Sequence, residues 1–563
     1  MSTLFVFLHG WSRNRKDFDP LWETVRLKVP DAARYCPELP IGLCSTERAM
    51  DLSLWLAEEI EREAAGYGRI VLVGHSCGAV LARMAWLIAT GIQPGGSLGP
   101  ALSWASRVDR MVLLAALSAG WRSSVAMSPW FRIKLWIGAV LDFLSEPLFI
   151  FDLRRGSAFL TSLRLRWLLL ARLHHERLPL VVQVLGTVDD LIAPSDNIDL
   201  ATGKDFHYLE VEATDHMQVV DPSTPARADA LSLALFADAD ALKASPQAIP
   251  AANLSDLFSD DPDDFDPVHG LPRPGTPGGA GVDQAIMVIH GIRDYGFWTK
   301  RLAARIRTLA QSGDDDHPPL VCRTVTSSYG FFPMAPFILP QLRRAKVEWF
   351  MDQFVRATAM YPGATFGFVG HSNGTYLLAE AIRLCPEIRF DAVVFAGSVV
   401  ACDYDWEGPI QRGQVGRVLN YVGTEDYVVA GFPKFLGRLP KIGLGSAGHD
   451  GFSRPGSRNV RFAPGGHDAG IRSRQWDGIA GFVLYGEDPE QRPAPGLRES
   501  YRAEIWPWLA SWLFVPGIVL GICVVAVAVF CGLTHLNLTP EVQTALLTFG
   551  LMAVVFRPIL TKL

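Results

Sequence analysis

Residues 71–80 read VLVGHSCGAV, and residues 367–376 read GFVGHSNGTY. Each places Gly-His-Ser-X-Gly directly after an apolar run and before a stretch with helical spacing of apolar positions. Glycines on both sides of a serine let the backbone turn sharply between strand and helix without side-chain clashes, and the turn lifts the hydroxyl above the sheet. One such signal twice in 563 residues asks for two domains, the number that chain length also favours.

Outward from each motif the same order of signals repeats. In the first block LFVFLHGW precedes a helical pattern ending near Lys28, a second from about Glu47 to Ala65, and then the strand RIVLVG. In the second, AIMVIHGI precedes helical stretches over 298–310 and about 341–360, and then the strand TFGFVG. Further strands follow each motif: DRMVLLAAL and LPLVVQVLG, then FDAVVFAG and RVLNYVG. Strands alternating with helices predict an α/β architecture, a doubly wound and mostly parallel sheet covered on both faces. The expected domains are residues 1–240 and 283–487. Between them, 241–282 contains SDDPDDFDP and GLPRPGTPGGAG and reads as a linker. Its aspartates lack the spacing and closing Glu of a calcium loop, so no metal site is expected there.

A serine hydroxyl is a weak nucleophile until an imidazole takes its proton, and the imidazole needs a carboxylate to hold its tautomer. Each block supplies both after successive strands. LGTVDDLIAP offers Asp189 and EATDHMQ offers His216; VGTEDYVV offers Asp426 and FAPGGHDAG offers His467. The shared Gly-Thr-X-Asp phrase selects Asp189 over Asp190. His467 is preferred to His449 because it directly follows an apolar strand. The expected sets are Ser76, Asp189, His216 and Ser372, Asp426, His467.

With these motifs, residues 1–240 and 283–487 resemble a tandem pair from the α/β-hydrolase superfamily, the first similar to small lipases and carboxylesterases. The resemblance makes Gly-His-Ser-X-Gly a nucleophile elbow. It implies oxyanion holes built from the backbone of Cys77 and Trp11 and of Asn373 and Ile292. It implies no metal and no organic cofactor. His75 and His371 are assigned to turn support, and Cys77 to its size and backbone NH. In this fold the insertion at about 121–177 implies a helical lid, and the corresponding connection in the second block, about 397–416, is short.

Composition narrows the partners. A formal net charge of -6 with 20% charged residues argues against nucleic acid. Eight scattered cysteines without a C-x-x-C spacing suit a reducing compartment. The start, MSTLFVFLHGW, lacks the basic flank and length of a secretory signal and reads as a first strand. No charge occurs from Ile505 to Leu533, where Trp506, Trp508 and Trp512 crowd the start, and a second apolar stretch covers 542–556. Residues 505–563 are therefore expected to form a transmembrane hairpin behind a juxtamembrane segment at 488–504. Arg498, Arg502, Arg557 and Lys562 flank its outer ends, so both ends and the hydrolase domains should face the cytoplasm. Residues 121–177 hold nine Lys and Arg against four Asp and Glu, which suits a basic lid facing lipid. The expected function is a membrane-anchored serine hydrolase, esterase- or lipase-like, acting on a lipid or lipophilic acyl ester or thioester. In one alternative the second domain is a docking or dimerisation scaffold. In the other, the whole chain is a non-catalytic membrane-tethered interaction protein.

Overall fold

The computed structural model describes residues 2–42, 45–122, 148–189, 197, 199, 206–249, 281–292, 296–313, 316–326, 340–423, 425–437, 443–463 and 465–489. They divide into two compact units. The first takes in residues up to 280 together with 348–362 and 384–388, and the second begins at 281.

The first unit is built on six strands: β1 (Thr3–Leu8), β2 (Ala33–Tyr35), β3 (Arg69–His75), β4 (Val108–Leu114), β5 (Leu180–Gly186) and β6 (Phe206–Val211). They lie in the order β2-β1-β3-β4-β5-β6, every pairing parallel. Every residue of β1 is buried, as a central parallel strand covered on both faces requires. Alternation then sorts its side chains. Leu4, Val6 and Leu8 join one core with residues of the helices Ala49–Glu63, Cys77–Ala89 and Ala158–Leu173. Phe5 and Phe7 join the opposite core with Leu21 and Val25 of Asp19–Lys28 and Leu231 of Pro225–Phe236.

The second unit holds β7 (Gln284–Ile289), β8 (Cys322–Val325), β9 (Thr365–His371), β10 (Phe390–Ala396), β11 (Val415–Gly423) and β12 (Arg458–Ala463). Their order is β12-β11-β10-β9-β7-β8, again all parallel. Counted from the first strand of each unit this is the same topology, so the repeat extends from motif to sheet. The helix Phe297–Ser312 falls close to its sequence pattern, as does Pro340–Met360, of which only the residues before 348 belong to the second unit.

The short edge strands β2 and β8 have no counterpart in the expected pattern, and two longer segments depart from expectation. Residues 241–249 are folded: a helix at Ala239–Ala244 is capped by Asp238, and the Ile249 NH donates to the Tyr208 carbonyl at 2.9 Å. The remainder of the expected linker, 250–280, lies outside the described residues. The second departure is the insertion at 121–177, whose middle, 123–147, also lies outside them. Its helix Ala158–Leu173 is core: Leu160, Leu163, Trp167 and Leu170 are fully buried, and Trp167 packs on Trp86 with ring centroids 5.6 Å apart. The apolar face that suggested a lipid surface is covered by the helix after the serine motif. Its Arg164 is buried too, donating to both carboxylate oxygens of Asp199 at 3.0 Å and to Asp352, all within the first unit. Among the described residues no helix is long and apolar enough to cross a membrane. The expected hairpin at 505–563 lies outside them.

Two buried arginines make opposite predictions. Arg83 lies over the faces of Trp167 and Phe206, 4.9 and 5.2 Å from the ring centroids, and its guanidinium nitrogens have no hydrogen-bond partner among the described residues. Burial, with a smaller push from the Arg164 charge and against the pull of Asp199 and Tyr208, depresses its pKa to about 10. Arg83→Met should therefore leave unfolding free energy unchanged or raise it, since an apolar side chain of similar volume removes an ill-solvated charge. Arg164→Ala strands buried carboxylates and should lower it by about 3–5 kcal/mol in urea titrations.

Candidate active site

Both serines stand at a strand-to-helix junction in a strained backbone. β3 ends at His75, Ser76 has φ 53° and ψ −122°, and the helix begins at Cys77. β9 ends at His371, Ser372 has φ 52°, and the helix begins at Asn373. A positive φ is uncommon for any residue with a Cβ and must be imposed by its surroundings. Here the Ser76 NH is held by the Leu114 carbonyl at 2.8 Å and the Ser372 NH by the Ala396 carbonyl at 3.0 Å. The motif glycines are steric necessities. A Cβ on Gly74 would lie 2.4 Å from the Ala79 Cα, and one on Gly78 would lie 2.2 Å from the Leu8 carbonyl oxygen.

Because all strands are parallel, the segments leaving their C-terminal ends gather along one edge of each sheet. Asp189 follows β5 and His216 follows β6, and His216 Nδ1 lies 2.8 Å from Asp189 Oδ2, both side chains 4% exposed. Asp426 follows β11 and His467 follows β12, with His467 Nδ1 at 3.0 and 3.1 Å from the two carboxylate oxygens. A carboxylate only accepts, so Nδ1 carries the proton and Nε2 is left as the basic nitrogen in each ring. Asp426 also accepts from the Val429 NH at 3.0 Å, which anchors it at the start of the helix Tyr427–Leu436. The His467 side chain is 20% exposed, against 4% for His216. His449 belongs elsewhere: it pairs at 2.8 Å with Asp450, which also binds Lys434 and Ser446. Asp190 lies outside the described residues.

The loop after β1 is strapped beside the serine. The Leu39 NH donates to His9 Nε2 at 2.9 Å, so His9 Nδ1 carries the proton and donates to the Gly10 carbonyl at 3.0 Å. The half-buried Trp11 donates its indole NH to the Gly42 carbonyl at 2.9 Å, and the Ser12 NH bonds the Ile41 carbonyl at 2.9 Å. Gly10 leaves little room, since a Cβ there would lie 3.1 Å from the Ser76 Cβ; at Gly291 the corresponding approach to Ser372 is 2.7 Å. Burial pushes the Cys77 thiol up to about 12, against the opposing pull of the backbone NH groups of Trp11, Cys77 and Gly78. Cys77 is a protonated small side chain, not a competing thiolate. Asn373 is buried at the helix start and Ile292 is half-buried in the loop after β7.

His75 and His371 acquire partners that turn support does not describe. His75 Nε2 lies 2.9 Å from the main-chain carbonyl oxygen of His216, and His371 Nε2 lies 3.1 Å from that of His467. The sequence signal was the recurrence of His at this position in both motifs. In the second unit His371 also lines an open cavity of about 690 Å3, with apolar walls from Phe297, Trp298, Ile471 and Trp476 and polar ones from Arg301, Asp468, Arg472 and Ser473; Ser372 and His467 are not part of its lining. Among the described residues no group of three or more His, Cys, Asp or Glu side chains is placed to hold a metal ion.

No family model matches the sequence, and no curated protein matches it. Solved structures similar to the chain include phospholipase PlaB from Legionella pneumophila, 18% identical over 33% of this chain and 39% of that one, with a TM-score of 0.24. A carboxylesterase structure from the thaumarchaeon Nitrososphaera gargenis is 16% identical over 41% of this chain and 88% of that one, with a TM-score of 0.26. Monoacylglycerol lipase from Paleococcus ferrophilus is 14% identical over 41% of this chain and 94% of that one, with a TM-score of 0.28.

Burial, and next the charge that His216 carries when protonated, lower the His75 pKa to about 3. Its unfolded value is about 6.5. Between these values the unfolded chain binds a proton that the folded chain refuses, so stability is complete above about pH 6.5 and falls as pH drops towards 3. This residue alone contributes about 1.4 kcal/mol per pH unit in that window. Denaturant titrations from pH 7 to pH 4 should show a slope one proton shallower in His75→Gln than in the wild type.

Proposed function

We propose that the chain is a serine hydrolase with two candidate sites, cleaving carboxylic esters or thioesters through an acyl-enzyme. The observation that carries this reading is the duplicated aspartate–histidine pair on the same sheet edge as a serine held in a positive-φ turn. Ser76 Oγ attacks the acyl carbon while His216 Nε2 takes its proton, and the alcohol or thiol leaves with that proton. Water then attacks the acyl-enzyme with His216 as base, releasing the acid and restoring Ser76. Asp189 holds the tautomer and stabilises the imidazolium. The backbone NH groups of Cys77 and Trp11 receive the oxyanion. Ser372, His467, Asp426, Asn373 and Ile292 repeat these roles, and the reaction uses no metal or organic cofactor.

The proposed substrate is a lipid or other lipophilic acyl ester or thioester. Aromatic and aliphatic residues around the cavity beside His371 favour an apolar group there, and the uncharged segment at 505–533 favours anchorage at a membrane with the hydrolase units on its cytoplasmic side. A second reading, in which only the first site turns over, is favoured by the greater exposure of His467. A wetter base is less well held for catalysis.

Labelling of detergent-solubilised full-length protein with a fluorophosphonate probe tests both readings. The expected outcome is two labelled serines in the wild type, one in Ser76→Ala, one in Ser372→Ala and none in the double variant. Asp189→Asn in the Ser372→Ala background should lower kcat on p-nitrophenyl butyrate by about a thousandfold to ten-thousandfold. An unlabelled wild type would remove the hydrolase reading. Unchanged stoichiometry in Ser372→Ala would leave the first site as the active one.

A further inference from the structure

We propose that His75 and His371 are positioning residues, each holding the main chain of the neighbouring base through a hydrogen bond from its imidazole to that base's carbonyl oxygen. The inference rests on the serine-hydrolase reading for its kinetic consequence, although the hydrogen bond itself does not.

A carbonyl oxygen can only accept, so at 2.9 and 3.1 Å the facing Nε2 of His75 and of His371 must carry the proton. His75 is 2% exposed, and its depressed pKa keeps it a neutral imidazole, with Nε2 as its NH donor, across any working pH. The rings stand in the same relation in both units, 48° from the ring of the base, with centroids 5.2 Å apart in the first and 4.7 Å in the second. Gly10 and Gly291 leave room for the ring: a Cβ on either would approach Nδ1 of His75 to 3.0 Å or of His371 to 3.3 Å.

The arrangement answers a mechanical need. His216 lies five residues beyond the end of β6, and His467 lies four beyond the end of β12, each on a loop. Asp189 and Asp426 restrain the imidazoles at Nδ1, and bonds from the Val188 NH to the Thr214 carbonyl at 3.2 Å and from the Glu425 NH to the Gly465 carbonyl at 3.1 Å tie each loop to the segment carrying the aspartate, not to the strand carrying the serine. His75 and His371 are the last residues of β3 and β9, adjacent to the proposed nucleophiles. Each therefore ties the base's main chain to the strand that carries the serine, and so fixes the separation between them. The loops differ in sequence, EATDH against APGGH, and the bond recurs in both. Small displacements of a general base lower rates steeply because proton transfer needs hydrogen-bond reach.

The test replaces the ring without its donor and then restores the donor without the ring. In full-length protein carrying Ser372→Ala, His75→Phe should lower kcat on p-nitrophenyl butyrate and the fluorophosphonate labelling rate by tenfold or more, with KM within twofold. His75→Gln, whose amide can place an NH near the position of Nε2, should return both to within threefold of the parent. His371→Phe and His371→Gln should behave alike in the Ser76→Ala background. Equal losses in the Phe and Gln variants, or a Phe variant within twofold of the parent, would overturn the proposal. Hydrogen–deuterium exchange over residues 212–219 reads the tether without reference to turnover. Exchange should rise in His75→Phe and not in His75→Gln even if no serine is labelled, in which case only the kinetic role falls with the hydrolase reading. Unchanged exchange in His75→Phe would overturn the tether itself.

Discussion

The rest of each unit is arranged around a serine held at φ near +50° between a buried strand and a buried helix. That backbone is unfavourable for an L residue and persists only where neighbours leave no alternative. The neighbours are visible: the NH of each serine is taken by the end of the next strand, and a Cβ on Gly74, Gly78 or Gly374 would meet backbone atoms at 2.2–2.7 Å, while one on Gly370 would meet the Phe368 ring at 2.5 Å. The loop after the first strand of each unit closes on the same turn, so close that a Cβ on Gly10 or Gly291 would lie 3.1 or 2.7 Å from the serine Cβ. Strand order then follows from chemistry, since the strand before that loop must lie beside the strand carrying the serine, as β1 beside β3 and β7 beside β9 do.

Parallel pairing makes the edge useful. Every strand delivers its next loop to the same side, so a carboxylate and an imidazole far apart in sequence meet on the edge where the serine turn also lies. Two elements then stiffen what loops alone would leave loose. Asp189 and Asp426 fix the imidazole rings, and the histidines before the serines reach the main chain of the same residues. The two sites differ mainly in wetness, His467 being more exposed than His216. Asp426 is also tied to the helix that follows it.

Much of this was legible before any coordinates. Gly-His-Ser-X-Gly marks its turn through glycine alone, and continuous apolar runs mark parallel strands because both faces are covered. The repeated Gly-Thr-X-Asp phrase selects Asp189, which lies beside His216, and strand adjacency selects His467, which lies beside Asp426, whereas His449 pairs with Asp450. The insertion at 121–177 was less legible. Helical periodicity reports that a face is apolar and not what covers it, so Leu160, Leu163 and Trp167 could equally have met lipid. In the structure they meet the helix Cys77–Ala89 and its surroundings, and Arg164 finds buried carboxylates. The folded start of the linker escaped for a related reason: its pairing with β6 is a long-range contact that local composition does not encode.

The sequence by itself determined the local and periodic features: two α/β units, their strands other than the short edge strands β2 and β8, the serine turns, and the aspartates and histidines that follow the last strands. These depend on backbone sterics and short-range alternation, which residue types specify directly. Only the tertiary structure decided which apolar faces are core, which charges are paired inside it, and that His75 and His371 reach across the sheet edge to the carbonyls of His216 and His467. Those choices depend on which distant segment arrives opposite a side chain, and that is set by the packing of the whole unit.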